Sequence, residues 1–215
     1  MPSHSKSIMA KASARSKSSS QRKSSKSAKK SVRKTASKSS KPSSQKTAFA
    51  LLFPDLEGEL ATTRRMLERV PNGNNEWRPH AKSRTLGDLA THLAQLPGFA
   101  LMMCTRDEFD GLAPRPPEPR FSTSAERVRM FEQLSGQLRG IMQQMTWDQA
   151  NARWKLRLGD KVVMSAPRTQ VLRTVFVTHS AHHRAQLGVY LRMLETPVPW
   201  SYGRSADEEP PAAGM

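Results

Sequence analysis

Three of the chain's six histidines fall where apolar side chains are expected, and that placement needs a chemical reason. His179 and His183 lie within Pro167 to Glu195, where Leu172, Phe176, His179, His183, Leu187, Tyr190 and Leu194 recur at steps of 3 or 4. That spacing puts all seven on one face of a helix, the face that should meet the core. A buried imidazole without a partner costs about 1–3 kcal/mol, so each ring needs a hydrogen bond or a metal. Two histidines at i and i+4 reach the same point in space, which suits a zinc-like ion. A third, His92, stands on another apolar stripe with Leu86, Leu89, Leu93 and Leu96. Two ligands from one helix and one from another leave an open coordination position, the pattern of a reactive rather than a purely structural site. An ion held there would lower the pKa of a coordinated water or thiol and polarise a carbonyl. The spacing equally admits core histidines satisfied by backbone or side-chain partners, and on these residues alone the two readings stand level.

Neighbouring residues offer supporting roles. Gln186, three after His183, could orient a ligand or a bound water, and His182 flanks the stripe as either a supporting or an exposed group. His80 follows Pro79 in a linker and reads as a capping or surface residue. Arg184 and Arg192 could meet an anionic substrate, but arginines on an outer helical face are usually solvated. Cys104 reads as a small core residue rather than a nucleophile. Asp207 and Glu208 reach the site only if the chain folds back. With no clear carboxylate or tyrosine base, proton transfer would fall to a water or thiol on the ion. Zinc, nickel, iron and manganese are not distinguished by three histidines.

Four helices are needed to position these groups. The first runs along Leu52, Leu56, Leu60, Thr63, Leu67 and Val70, with Pro54 in its first turn and a stop at Pro71. The second opens at Thr85 with Asp88 in a capping-box position, and Pro97-Gly98 should interrupt it, with a kink just after His92. It resumes to about Thr105. Residues 110–120 are proline-rich and cannot be helical. A third helix opens at the Thr123/Glu126 capping box and carries Val128, Phe131, Leu134, Leu138, Ile141 and Met145. Between it and the last helix, Trp154, Leu156 and Leu158 alternate with charged residues, and Gly159-Asp160 turns the chain into Lys161 to Met164, a small β-hairpin. The expected fold is all-α: a four-helix up-down bundle over residues 48–208 with this hairpin before the last helix.

Residues 1–47 hold 14 of the 35 basic residues, none of the 18 acidic ones, and 17 serines. Such a segment cannot bury enough apolar surface to offset its ordering entropy, so it reads as a disordered basic tail, with residues 209–215 as a flexible terminus. Solvation alone accounts for the tail's charge; non-specific contact with nucleic acid is the next reading, and the lack of aromatics before Phe49 argues against base stacking. The single cysteine excludes an internal disulfide, and no apolar run approaches the ~20 residues of a membrane helix. A soluble, cytoplasmic protein without a membrane partner is expected.

Two motifs in order add a resemblance. His179, the His183-Arg184-x-Gln186-Leu187 run, Val189-Tyr190-Leu191-Arg192, Pro197-x-Pro199 and Tyr202-Gly203-x-Ser205-Ala206-Asp207-Glu208 resemble the C-terminal signature of the DinB-like family (the DinB/YfiT superfamily, not the translesion polymerase of similar name). Trp77-Arg78-Pro79-His80 and Leu86-Gly87-Asp88-Leu89-Ala90-x-His92 are similar to the family's second-helix signature. The resemblance spans roughly residues 50 to 208 and leaves the tail uncovered. It implies a four-helix bundle, often a homodimer, holding a divalent metal through three histidines, here His92, His179 and His183. It also implies metal-dependent chemistry on a small-molecule substrate, as a thiol S-transferase using a low-molecular-weight thiol or as a hydrolase. The alternative is a catalytically silent, stress-related bundle whose basic tail associates with nucleic acid. Ala185 departs from the family's usual glycine, and its methyl group is expected to narrow the room beside the site without removing a ligand.

Overall fold

The computed structural model describes residues 48–211. The expected tail over residues 1–47 lies outside them, as do residues 212–215 of the expected flexible terminus. The described chain is mostly helical with one small sheet. Its elements are α1 (Ala48–Leu52), α2 (Leu56–Glu68), α3 (Leu86–Thr105), β1 (Glu108–Asp110), α4 (Ser124–Gln144), α5 (Trp147–Asn151), β2 (Arg153–Leu158), β3 (Lys161–Pro167), α6 (Arg168–Val171), a π-helical segment (Leu172–Thr178) and α7 (His179–Met193).

Local chemistry explains where the long helices start. Thr85 accepts the Asp88 amide at 3.1 Å and caps α3, while at α4 Thr123 and Glu126 form both bonds of a capping box. Pro54 does not sit inside a first helix as expected. The chain breaks between α1 and α2, because the proline has no amide to continue the α1 ladder. Pro97, by contrast, is accommodated inside an α3 that runs unbroken from Leu86 to Thr105, where an interruption was expected.

The core is one cluster in which Leu67, Leu86, Leu93, Leu138, Leu172 and Leu187 are fully buried. Each such side chain removed from water contributes about 1.5–3 kcal/mol. α3 packs against α4, α7 and the π segment, and α2 packs against α4 and α7. This places His92 of α3 opposite the start of α7.

The mostly helical fold carries one small sheet, a strand larger than the expected hairpin. The hairpin forms as expected, with β2 and β3 antiparallel from Arg153↔Pro167 to Leu158↔Lys161 and Gly159 supplying a left-handed φ of 60° at the turn. A third strand joins it: β1 runs parallel to β2 in the register Glu108↔Lys155 to Asp110↔Arg157. Three residues are too few to reveal an alternating pattern, so β1 carries no signal of its own.

The buried guanidinium of Arg168 ties the sheet to the helices. It donates to the carbonyls of Met103 (2.7 Å), Arg106 (3.2 Å) and Gln149, and to the Asp107 carboxylate (2.6 Å). Two of those acceptors lie at the open end of α3, where carbonyls lack intrahelical donors. One side chain therefore joins the end of α3 to the segment that leads into α7.

The expected long helix from Pro167 to Glu195 is continuous from Arg168 to Met193, but its middle is wound as a π-helix. The Thr178 hydroxyl donates to the Arg173 carbonyl five residues back at 3.0 Å, matching the wider turn. Val171, Thr174, Val175, Val177 and Thr178 crowd this stretch with β-branched side chains, which lose most freedom in a tight α-turn.

Candidate metal centre

The π segment delivers the chain directly into His179, the first residue of α7. One turn on, His183 is buried at 7% exposure, while His179 and the facing His92 are half-buried. Ring centroids are 4.5 Å apart for His179 and His183, 4.7 Å for His92 and His183, and 5.3 Å for His92 and His179. One nitrogen from each lies within 4.8 Å of the other two, so the three histidines could hold a metal ion.

The hydrogen bonds around the rings fix where their lone pairs point. His179 Nδ1 lies 3.2 Å from the Val175 carbonyl, which can only accept, so Nδ1 carries the proton. His183 Nδ1 faces Gln186 Oε1 at 2.7 Å and donates to it. Both Nε2 atoms are then unprotonated acceptors, yet they face each other at 2.7 Å. Two lone pairs in that position repel unless a cation lies between them. A proton on His183 is disfavoured, since burial lowers its pKa. Burial first, then the charges of His183, Arg84 and His179, push the His92 pKa down to about 4. Burial lowers His183 as well; the Gln186 bond opposes it, and the neighbouring His179, His182 and Arg84 add to it. Three imidazole nitrogens this close together, two of them on rings whose pKa values are lowered, are a donor set that fits a divalent ion of zinc type.

Second-rank residues divide sharply. Gln186 holds His183, although its own side chain is otherwise exposed. His182 is exposed and touches only the edge of the His183 ring, with centroids 4.9 Å apart. His80 is an exposed turn residue whose Nδ1 accepts the Lys82 amide at 3.1 Å. Cys104 sits on α3 about 18 Å along the axis from His92, and burial pushes its thiol up to about 12, so it is no nucleophile at neutral pH.

Two expectations about α7 are corrected. Arg184 is not solvated: its guanidinium is 2% exposed and bonds to Glu59 through both the carboxylate and the carbonyl (3.1 Å), to Thr63 Oγ1 (2.9 Å) and to the Tyr202 hydroxyl (2.5 Å). Ala185 does not narrow the room beside the three histidines. Two residues past His183 it faces the opposite side of the helix, where it lines a cavity of about 530 Å³ with Gly188, Val198 and Tyr202. That side is covered by residues 196–209, which fold back: Arg192 pairs with Asp207 (2.5 Å) and Arg69 with Glu208. Asp207 is thus engaged on the outer face of α7 and Glu208 at the end of α2, neither of them paired with a histidine.

Beside His183 a second cavity of about 300 Å³ opens between α7 and the loop before α3. It is lined by Lys82, Ser83, Arg84, Leu89, His183, Gln186 and Tyr190. Spacing could not reveal Lys82 and Arg84, because a loop has no periodicity. The only hint was their position just ahead of the Thr85 cap.

A family model described as "DinB family" matches residues 44–212. No curated protein matches the chain. Among solved structures, the chain is similar to a DinB-like protein from Bacillus subtilis, with a TM-score of 0.55 at 15% identity, covering 70% of this chain and 96% of that one. A DinB-like protein from Bacillus cereus gives a TM-score of 0.53 at 18% identity, over 70% and 95% of the two chains. These structural likenesses speak for the fold. Among the described residues no helix is long and apolar enough to cross a membrane.

Proposed function

The chain belongs to the DinB family, and on that premise we propose that it holds a divalent metal through His92, His179 and His183 and uses it as an enzyme on a small-molecule substrate. The observation that carries this reading is the pair of unprotonated Nε2 atoms facing each other at 2.7 Å, with both Nδ1 atoms already spent on oxygen acceptors. The reading takes the four long helical units, α2, α3, α4 and the π segment with α7, as an up-down bundle whose interior the ion occupies.

Each residue has a definable task. Val175 and Gln186 fix the tautomers of His179 and His183, so that both present Nε2 inward. Burial holds His92 and His183 neutral at physiological pH, which spares the ion competition with protons. When bound, a divalent ion supplies Lewis acidity, lowering the pKa of a water or thiol that it coordinates and polarising an acceptor carbonyl. None of the residues grouped with the histidines is a carboxylate. That favours chemistry whose nucleophile is activated at the ion itself, either thiol S-transfer with a low-molecular-weight thiol or hydrolysis.

Metal analysis of the purified protein tests the centre. One ion per chain is expected, and it should be lost in His179→Ala and in His183→Ala; undiminished metal in both variants would sink the reading. A panel of electrophilic substrates with and without several cellular thiols then separates transfer from hydrolysis.

A further inference from the structure

The 300 Å³ cavity beside His183 has a charge problem that the three histidines do not solve. Its lining includes two cations, Lys82 and Arg84, and no carboxylate. Both side chains are exposed, and none of the ion pairs among the described residues involves either one. Arg84 lines the same cavity as His183, so its guanidinium stands beside the point where the imidazoles converge. The loop that carries it is not free to swing away. The Tyr190 hydroxyl donates to the Arg84 carbonyl at 3.2 Å, the Tyr190 ring packs edge-on against Trp77 at 5.5 Å, and the Leu86 amide donates to the Trp77 carbonyl at 2.8 Å. α7 thus holds the backbone of Arg84 two turns beyond His183, with the side chain left to face the cavity.

The geometry points to an anion subsite here: Arg84, assisted by Lys82, binds a carboxylate or phosphate group of the substrate in the cavity beside His183, with Gln186 and Tyr190 lining its α7 side. A guanidinium without a partner matches such groups through paired N–H donors, and a nearby ammonium adds a point charge. The subsite deepens the metal-centre reading and rests on it for where the reacting end of the substrate lies. A divalent ion on three neutral imidazoles would add two further positive charges, so that a neutral ligand would leave the whole site uncompensated. The subsite therefore defines the substrate class as anionic and places its charged end toward the loop before α3.

Protein-observed NMR titration tests this on the full chain, with acetate, its neutral isostere acetamide, and inorganic phosphate as probes. Acetate and phosphate should shift the amides of Ser83, Arg84 and Gln186 and bind at least about fivefold more tightly than acetamide. Arg84→Gln should remove that preference, and Arg84→Lys should restore part of it, which separates lost charge from a disturbed loop. Equal binding of acetate and acetamide, or an acetate affinity in Arg84→Gln within about fivefold of the parent, overturns the subsite. Metal content is measured on the same samples. A protein that binds no metal but keeps an Arg84-dependent preference for anions sinks the metal centre and leaves the subsite standing; a metal-loaded protein indifferent to charge does the reverse.

Discussion

At the scale of single residues, the weight falls on a side chain with no metal-binding chemistry of its own. Gln186 fixes which nitrogen of His183 carries the proton, through a bond of 2.7 Å. Removing such a partner typically costs about 10–100-fold in metal affinity. Gln186→Ala is therefore expected to weaken binding by that amount in a chelator competition, while His182→Ala, altering an exposed ring, leaves it nearly unchanged. Equal losses in the two would contradict the roles assigned here. The histidines were legible because helical periodicity carries each of them onto a stripe. Arg84 was not, since its place beside His183 depends on how Tyr190 and Trp77 hold a loop, and such long-range contacts leave no local pattern.

At the scale of elements, α7 is held from outside as well as from the core. The Arg184–Glu59 pair is almost wholly enclosed, with side-chain exposures of 2% and 13%, and Thr63 and Tyr202 share its hydrogen bonds. Removing one partner of a buried pair leaves the other charge stranded, at a cost of about 3–5 kcal/mol. Arg184→Ala should lower stability by that amount in urea unfolding. The double variant with Glu59→Ala should cost less than the two single changes together, whereas strict additivity would mean that the pair is not coupled. The sequence hid this clamp because a helical wheel places Arg184 off the apolar stripe, and only the packing of α2 and the returning Tyr202 encloses it. Caps and the hairpin were readable from Thr85, Thr123 and Gly159, whose side-chain or backbone chemistry is local. The π segment and β1 were not: one depends on turn-by-turn crowding, the other on a partner strand more than forty residues away.

At the scale of the whole molecule, the buried histidines link folding to pH. Once the chain unfolds, His92 and His183 take up protons near the ordinary value of about 6.5. In the folded protein His92 resists protonation down to about 4, and His183 is lowered in the same direction. Between those pH values the unfolded state binds more protons, so stability falls as pH falls. With metal chelated, the melting temperature should decline from about pH 6.5 towards pH 4, and His92→Phe should flatten part of that decline; a melting temperature independent of pH across this window would refute the linkage. The segment that folds back over α7 has a further consequence, for the order of events during synthesis. Tyr202 and Asp207, which secure the outer face of α7 through Arg184 and Arg192, and Glu208, which pairs with Arg69 at the end of α2, are all made after α7. His92 emerges long before its two partners, and α7 is fastened only once the ribosome has moved past Asp207. The three imidazoles can therefore meet only late in synthesis, once α7 has been made.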